Sequence, residues 1–196
     1  VISDLPNGQK VLMSVTKQSW IYTFDRATGE PIWPIEERPV PAGDVPGEWY
    51  SPTQPFPTNP PPFDRQGFTE KDLIDWTPEI RALALEATGG FRLAPSVYSP
   101  PSLADAEDGT RGTLSLPSAT GGANWEGAAI DPETGMIYVP SRTALAVMSL
   151  GKDEDSDLDL SAAFGVRVPR VQGLEIVQPP YGRITAIDMN TGEHQW

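Results

Sequence analysis

The sequence predicts an all-β fold built from small repeated antiparallel sheets, and three observations lead to this prediction. Short runs rich in Val, Ile, Tyr and Thr are separated by turns that open with Asp and close with Gly. One nine-residue pattern occurs twice and ends on tryptophan both times. Pro 22 and Gly 18 among 196 residues supply many turns, yet stay below the roughly 25–30% that marks a disordered composition. Short strands with such turns are typical of a sandwich, a barrel or a propeller.

Three β-hairpins are predicted along the chain, with turns that begin at Asp25, Asp131 and Asp188. An Asp carboxylate at the start of a turn accepts a hydrogen bond from the backbone two residues on, and the closing Gly supplies the positive φ. The predicted strands are Lys10–Thr16, Trp20–Phe24, Ile32–Ile35, Ala128–Ile130, Met136–Pro140 and Arg183–Ile187.

The first and third turns repeat in detail. Asp25–Trp33 and Asp188–Trp196 both read D-x-x-T-G-E-x-x-W, whereas the turn at Asp131 keeps Thr and Gly but lacks the tryptophan. A motif that recurs with a tryptophan at a fixed offset is typical of a repeat architecture. One small sheet cannot bury both of its faces, and a tryptophan at a fixed place can pack against the neighbouring sheet. We therefore expect structural roles for Trp33 and Trp196.

Two insertions explain the irregular spacing of the repeats. The first, Pro39–Pro101, begins with a proline-rich stretch, Ser51–Phe63. The second, Gly151–Tyr181, has an acidic start. Because the last repeat ends on Trp196, the final residue, we interpret the chain as a piece of a longer repeat protein or a chain truncated at a repeat boundary.

The first insertion is expected to contain two short helices. Thr69 is the predicted N-cap of a helix over Glu70–Asp75. Thr77 is the predicted N-cap of a second helix that begins at Pro78 and ends at the glycine pair that follows Thr88. A threonine hydroxyl accepts a hydrogen bond from the first helical turn, proline suits the first helical position, and glycine suits the residue after the last turn.

Charge and composition exclude several classes of function. Asp+Glu 27 against Lys+Arg 14 gives a net charge of −13, which argues against nucleic acid because phosphate binding needs clustered cations. Cys 0 removes disulfides, thiolate metal sites and cysteine nucleophiles. His 1 removes multi-histidine metal sites and leaves only His194 for a Ser-His-Asp triad. The sequence has neither the roughly 20 apolar residues of a membrane helix nor a charged-then-apolar leader.

Two local patterns have an ordinary structural explanation. Asp153–Asp159 is rich in carboxylates, but a calcium loop needs Gly at its sixth position and Glu at its twelfth. Those places hold Leu158 and Phe164, so we predict a solvated acidic loop. Pro57–Pro60 fits the P-x-x-P pattern of peptide ligands, and a rigid spacer packed on the sheets is the preferred interpretation.

Four motifs in order resemble the quinoprotein dehydrogenases, which carry pyrroloquinoline quinone (PQQ). The D-x-x-T-G-E-x-x-W repeat resembles the tryptophan-docking motif of that family. Thr16–Arg26 resembles its T-K-x-G-x-x-Y-x-x-D-R segment, with Ser19 where the family often has Gly. Gly121–Pro132 resembles its G-G-x-N-W-x-G-x-A-x-D-P segment, and Gly47–Pro57 is similar to the membrane-type glucose dehydrogenase branch. Together the motifs cover essentially the whole chain.

The resemblance implies that residues 1–196 are part of one quinoprotein domain, the C-terminal part of an eight-bladed β-propeller with PQQ near its axis. A divalent cation, calcium or magnesium, would be bound by parts of the protein outside this chain. The implied reaction is oxidation of a sugar, polyol or alcohol hydroxyl, with electrons passed to a quinone or a cytochrome. The implied location is the periplasm, with any attachment to the inner membrane made by parts outside this chain. These residues alone would be inactive.

The resemblance also implies roles for three residues. Lys17 matches the basic residue of the family that contacts PQQ, and a fixed ammonium would stabilise negative charge on the quinone oxygens during the reaction. Asn124 matches the asparagine that hydrogen-bonds the cofactor, since an amide both donates and accepts. Trp125 follows it and would help to wall the pocket. The catalytic aspartate, cation ligands and ring-stacking tryptophan of the family lie elsewhere, so no general base or metal ligand is assigned.

A competing hypothesis is a non-catalytic propeller that binds other proteins and shares the tryptophan repeat without the cofactor. On that hypothesis Lys17 is a solvated turn lysine, and Asn124 serves the backbone geometry of a Gly-rich turn. Such a scaffold does not need a lysine and an asparagine that face one pocket. The positions of these two side chains therefore discriminate between the hypotheses.

Overall fold

The computed structural model describes residues 1–163 and 165–196, and the described chain is predominantly β. One residue of the second insertion, Phe164, therefore lies outside the described residues. The elements are β1 (Ile2–Asp4), β2 (Lys10–Val15), β3 (Ile21–Asp25), β4 (Ile35–Pro39), β5 (Thr53–Pro57), α1 (Pro78–Ala87), β6 (Arg92–Leu93), β7 (Ser102–Leu103), β8 (Thr113–Ser115), β9 (Ala129–Asp131), β10 (Met136–Arg142), β11 (Ala146–Gly151), β12 (Ser161–Ala162), β13 (Arg170–Val171), β14 (Leu174–Glu175), β15 (Gly182–Asp188) and β16 (Glu193–His194).

The first sheet is antiparallel, in the order β1-β2-β3. Its β2–β3 hairpin, with Val15 opposite Ile21, confirms the first predicted hairpin. The strand predicted over Ile32–Ile35 is wrong. Only an isolated bridge between Phe24 and Pro31 continues the sheet, and β4 pairs with β5 instead. Proline at positions 31 and 34 explains the difference, because proline has no N–H to donate to a ladder.

The second sheet is antiparallel, in the order β16-β15-β10-β9. It confirms the other two predicted hairpins and joins them, since β10 pairs with β15 from Met136 opposite Asp188 to Arg142 opposite Gly182. The chain therefore leaves this sheet after Arg142 and re-enters it at Gly182, with the second insertion between the two paired strands.

The predicted turn chemistry is confirmed at all three Asp–Gly turns. Oδ1 of Asp25 accepts from the backbone N–H of Ala27 at 2.8 Å, and Asp131 and Asp188 accept in the same way two residues on. The glycines that close the turns have φ of 81°, 78° and 78°. At these positions a residue with a Cβ would be strained.

The two sheets share one hydrophobic core. Its buried members are Leu5, Val11, Met13, Ile21, Phe63, Ala123, Ile137, Val139, Ile187 and Met189. Trp33 is partly buried against this core, as the repeat predicts. Trp196 is 68% exposed and lies over Tyr138 of its own sheet, with 6.1 Å between ring centroids. Its packing against a neighbouring sheet stays a prediction.

Both insertions join strands β7, β8 and β11 in a second layer with its own core. Strand β11 pairs with β8 and β7, and the N–H of Ile74 donates to the carbonyl of Ile176 at 2.9 Å. The buried members of this core are Phe68, Leu73, Ile74, Ala84, Leu114, Leu116, Val171, Ile176 and Val177. Residues far apart in sequence therefore assemble one insertion layer.

The predicted Thr77 cap and the predicted proline spacer are both present in the first insertion. Oγ1 of Thr77 accepts from the N–H of Ile80 at 3.2 Å and begins α1, while the first predicted helix is a shorter 3-10 turn, Glu70–Asp72. Pro57 is buried and the side chain of Asn59 donates to the carbonyl of Thr191 at 2.8 Å, which confirms a packed spacer.

The acidic stretch Asp153–Asp159 is mostly exposed to solvent, as predicted. Among the described residues, no helix combines the length and the apolar character needed to span a membrane.

Candidate functional site

Three connections meet at one end of the two sheets, opposite the Asp–Gly turns. They are the β2–β3 loop, the segment that leads into β9, and the residues that follow β10. The N–H of Gly122 donates to the carbonyl of Lys17 at 3.0 Å, and the N–H of Arg142 donates to the carbonyl of Gly122 at 2.7 Å. Gly122 thus ties the three connections together through backbone hydrogen bonds.

The β2–β3 loop has a conformation that glycine favours. Ser19 is buried with φ of 71°, a region that residues other than glycine seldom adopt. Its N–H donates to the carbonyl of Thr16 at 3.1 Å and closes the turn. The backbone at position 19 therefore keeps the shape that a glycine would give, and Lys17 is exposed at the tip of the loop.

The glycine pair Gly121-Gly122 is required by close packing against this loop. A Cβ on Gly121, which has φ of 90°, would lie 2.6 Å from Cα of Lys17. A Cβ on Gly122 would lie 2.2 Å from Oγ of Ser19. Both distances are far below van der Waals contact, so the two loops pack backbone against backbone and hold each other in place.

The structure brings Lys17 and Asn124 to the same segment. Nζ of Lys17 donates to the carbonyl of Ala119 at 3.4 Å, and Nδ2 of Asn124 donates to the carbonyl of the next residue, Thr120, at 3.1 Å. The two side chains line different cavities, however. Asn124 lines one of about 480 Å³ together with Glu126, and Lys17 lines one of about 200 Å³.

Trp125 is the third residue that the resemblance implies. Its side chain is 94% exposed, and it lines neither of these two cavities among the described residues. A walling role for Trp125 would need a contact from residues outside this chain, and it stays a prediction.

Asp64 was missed by the sequence analysis. Its side chain is only 1% exposed, and Oδ1 accepts from Oγ1 of Thr143 at 2.8 Å and lies 3.4 Å from Nε of Arg183. Oδ2 has no hydrogen-bond partner among the described residues. A Cβ on Gly122 would lie 3.7 Å from Cβ of Asp64, so this carboxylate lies directly behind the glycine pair. No sequence signal marks it, because its side-chain partners, Thr143 and Arg183, lie on two segments far away in the sequence.

Two side chains at this end of the sheets have hydrogen-bonding groups to spare for an anionic cofactor. An ammonium carries three protons. Within the described residues, Lys17 uses only one of them, in a long hydrogen bond to the carbonyl of Ala119. Oδ1 of Asn124 accepts no hydrogen bond within the same part of the chain. In residues 1–163 and 165–196, no group of three His, Asp or Glu side chains could hold a metal ion.

The fold and this end of the sheets define a β-repeat protein with a candidate binding site for an anionic cofactor. The model of the family described as "PQQ: Glucose/ethanol/alcohol dehydrogenase, beta-propeller domain" matches residues 2–196. The chain belongs to this family, and the resemblance found in the sequence is confirmed.

Curated relatives include dehydrogenases with different named substrates. The chain is 29% identical to a quinate/shikimate dehydrogenase (quinone) of Acinetobacter baylyi, over 92% of this chain and 24% of the relative. It is 34% identical to a quinoprotein glucose dehydrogenase of Gluconobacter oxydans, over 92% of this chain and 25% of the relative. For the quinoprotein glucose dehydrogenase of Escherichia coli the values are 27%, 97% and 26%. The chain spans about a quarter of the length of these relatives.

Proposed function

We propose that the protein containing this chain is a PQQ-dependent dehydrogenase that oxidises a sugar, polyol or alcohol hydroxyl. The substrate would lose a hydride to the quinone of PQQ and its hydroxyl proton to a base outside this chain, and the electrons would pass on to a quinone or a cytochrome. The family match supports the proposal, as do relatives named as quinate, glycerol and glucose dehydrogenases. The observation that carries it is the anchoring of Lys17 and Asn124 on the consecutive carbonyls of Ala119 and Thr120.

In this proposal Lys17 stabilises negative charge at the cofactor. Bound PQQ would supply the hydride acceptor, and the protein orients it. The Lys17 ammonium is exposed and bonded to one carbonyl, so its other protons are available for a cofactor oxygen. A fixed donor directed at developing charge is among the largest contributions to catalysis.

Asn124 and the glycine pair hold the cofactor in position. Nδ2 of Asn124 is fixed on the carbonyl of Thr120, which leaves its Oδ1 and second proton for the ligand. Gly121 and Gly122 pack against the Lys17 loop without side chains between them. The two candidate cofactor-binding side chains are therefore supported by one rigid pair of loops, a condition for precise orientation.

The remaining parts of the proposal concern residues beyond this chain. The two sheets would be blades of an eight-bladed propeller, and calcium or magnesium would be bound by segments elsewhere. The protein would work in the periplasm, with any membrane attachment made outside residues 1–196. Trp125 would meet the cofactor pocket once the neighbouring segments are in place.

The test is substitution of Lys17 in the whole protein. We expect Lys17→Ala to lower kcat by about 10²–10³-fold, the usual cost of one fixed donor to developing charge, and to weaken PQQ binding. The measurements are PQQ affinity of the apoprotein by fluorescence quenching and dye reduction after reconstitution with PQQ and calcium or magnesium. Lys10→Ala is the matched control, since Lys10 is an exposed lysine at the opposite end of β2.

Two results would contradict the proposal. Full activity and full PQQ affinity in Lys17→Ala would remove the role of Lys17. If the whole protein neither bound PQQ nor showed PQQ-dependent absorbance, the non-catalytic scaffold would be favoured instead.

A further inference from the structure

A cavity of about 460 Å³ lies beside the candidate cofactor site. It is formed by the residues that follow β10, by residues 167–170, by the end of β14 and by Tyr181. Arg142 lines both this cavity and the one that contains Asn124. The two cavities are therefore neighbours that share one arginine, and no motif in the sequence analysis pointed to this second one.

The cavity is basic in a strongly acidic chain. Arg142, Arg167 and Arg170 line it, although the chain carries Lys+Arg 14 against Asp+Glu 27. Arg170 is paired with Glu175 and donates to the carbonyl of Gly173 at 3.0 Å. Arg142 and Arg167 are exposed, and within residues 1–163 and 165–196 neither forms an ion pair or a side-chain hydrogen bond. Two guanidinium groups are thus free to bind an anion.

Charged side chains also lie behind the wall of the cavity. Thr143 lines the cavity and donates to the buried carboxylate of Asp64. Nε of Arg183 is 3.4 Å from Oδ1 of Asp64, and Nη2 of Arg65 donates to the carbonyls of Gln178 and Pro180 at 2.5 and 3.3 Å. Burial and the neighbouring Arg183 lower the pKa of Arg65. Asp64 thus has one arginine, Arg183, at ion-pair distance, while Arg65 is held by backbone carbonyls.

The shape and lining favour an organic anion. A guanidinium presents parallel N–H groups that match a carboxylate. The remaining walls include the apolar side chains of Leu145 and Val168, along with Tyr181, which is 39% exposed. A carbon skeleton can pack there while its charged group meets the arginines. The cavity volume is within the roughly 300–1,000 Å³ of small-molecule sites.

We propose that this cavity binds the carboxylate of the substrate, so that the protein oxidises a hydroxy acid rather than a neutral sugar or alcohol. The inference rests on the proposed function and specifies its substrate class. The N–H of Arg142 donates to the carbonyl of Gly122 at 2.7 Å, which fixes this arginine to the loop beside Lys17 and Asn124. An acid held by Arg142 and Arg167 would thus have its hydroxyl groups next to the candidate cofactor site.

The test compares two probes that differ only at one carbon, gluconate and glucitol, in the whole protein. Binding of each to the PQQ-free protein is measured by calorimetry, and kcat/KM is measured after reconstitution. We expect gluconate to bind better than glucitol. Arg142→Gln and Arg167→Gln should each weaken gluconate binding and lower its kcat/KM at least 10-fold, with little change for glucitol. Arg38→Gln is the control, because Arg38 is exposed on β4 and paired with Glu36 at 2.8 Å.

Each other outcome counts against the proposal. If gluconate does not bind, or binds equally well to both arginine variants, the cavity is not a carboxylate site. If the variants lose PQQ affinity in parallel with gluconate affinity, the arginines hold the carboxylates of the cofactor instead. PQQ affinity is measured separately, so failure of the dehydrogenase proposal appears as absence of PQQ binding whatever the result with gluconate.

Discussion

The sheet pair and the insertion layer are built from the same chain by different means. In the sheet pair, β2 pairs with β3 and β9 with β10 across short turns, and side chains alternate between core and solvent. In the insertion layer, pairing joins distant segments, as when Leu73 bridges Val177. Local hairpins form with little loss of chain entropy, whereas long-range pairs require large loops to close. The hairpins of the sheet pair therefore depend on their own turns, whereas the β10–β15 pair and the insertion layer depend on distant segments that meet.

Phe63 connects the two regions, and its substitution should have the largest effect. This residue belongs to the first insertion but is buried in the core of the sheet pair at 1% exposure. Its N–H donates to the carbonyl of Ser19 at 3.0 Å, and its carbonyl accepts from Oγ1 of Thr185 at 2.9 Å. Phe63→Ala should lower the free energy of unfolding by about 3–5 kcal/mol, the usual cost of such a truncation. Denaturant titration measures it.

Leu114→Ala tests the insertion layer separately from the sheet pair, because Leu114 is fully buried within the insertion layer. Hydrogen exchange should rise in β8 and β11 of this variant but not in β2 and β10. In Phe63→Ala it should rise in both regions. Equal exchange patterns in the two variants would show that the regions unfold as one unit.

Asp64→Asn should have a smaller effect that falls on the boundary between the regions. The buried carboxylate accepts from Thr143 and lies 3.4 Å from Nε of Arg183 on β15. Asparagine keeps the shape but removes the charge, which leaves Arg183 without its counter-ion. We expect a loss of about 1–3 kcal/mol in the free energy of unfolding, the range for a poorly satisfied buried polar group.

A double variant tests whether this loss belongs to the ion pair. If Asp64→Asn acts through Arg183, then adding Arg183→Met should cost less than it does in the unmodified protein. Additive losses would contradict this account, because residues in one network are expected to be coupled.

The smallest expected effect concerns the pH dependence of the sheet pair. The pKa of Asp131 is lowered by the hydrogen bond from the Thr134 hydroxyl and then by the N–H of Glu133. The pKa of Asp25 is lowered by the N–H groups of Thr28 and Ala27. A folded-state pKa below the unfolded value means that the contribution is present above the unfolded pKa, near 4, and is lost as pH falls through the folded pKa.

Thr134→Val is the variant that measures this effect. Without the hydroxyl, the pKa of Asp131 should rise toward its ordinary value, and the fall in Tm between pH 6 and pH 3 should become shallower. Carboxyl chemical shifts in an NMR titration report the pKa directly. If the pKa of Asp131 is the same in Thr134→Val and in the unmodified protein, the Thr134 hydroxyl does not lower it. The hydrogen bonds of both carboxylates are exposed to solvent, so the change in Tm should be small.

The sequence predicted what depends on neighbours along the chain. The Asp–Gly turns and the Thr77 cap use residues two or three positions apart, and each of the three predicted hairpins pairs strands that follow each other in the chain. The failure at Ile32–Ile35 is also local, since the prolines at 31 and 34 remove ladder donors. That the two insertions pair with each other was not predictable, because no local pattern relates Leu73 to Val177.

The residues of the candidate site also differ in whether the sequence alone could reveal them. Lys17 and Asn124 were singled out because they stand in contiguous motifs that resemble a family. Asp64 and the arginines of the basic cavity stand in no motif, and their significance comes from burial and from partners on other segments. The close approach of Gly121 to Lys17 gives the glycine pair a physical reason that the motif alone did not supply.

The second insertion leaves and re-enters the sheet at one point, where the N–H of Thr143 donates to the carbonyl of Tyr181 at 3.0 Å. Because its two ends are bonded to each other, the length and composition of the segment between them can change while β10 and β15 remain paired. Exchange of this segment would need to keep Val171, Ile176 and Val177, which are buried against the first insertion. The same hydrogen bond makes it a practical grafting position for engineering.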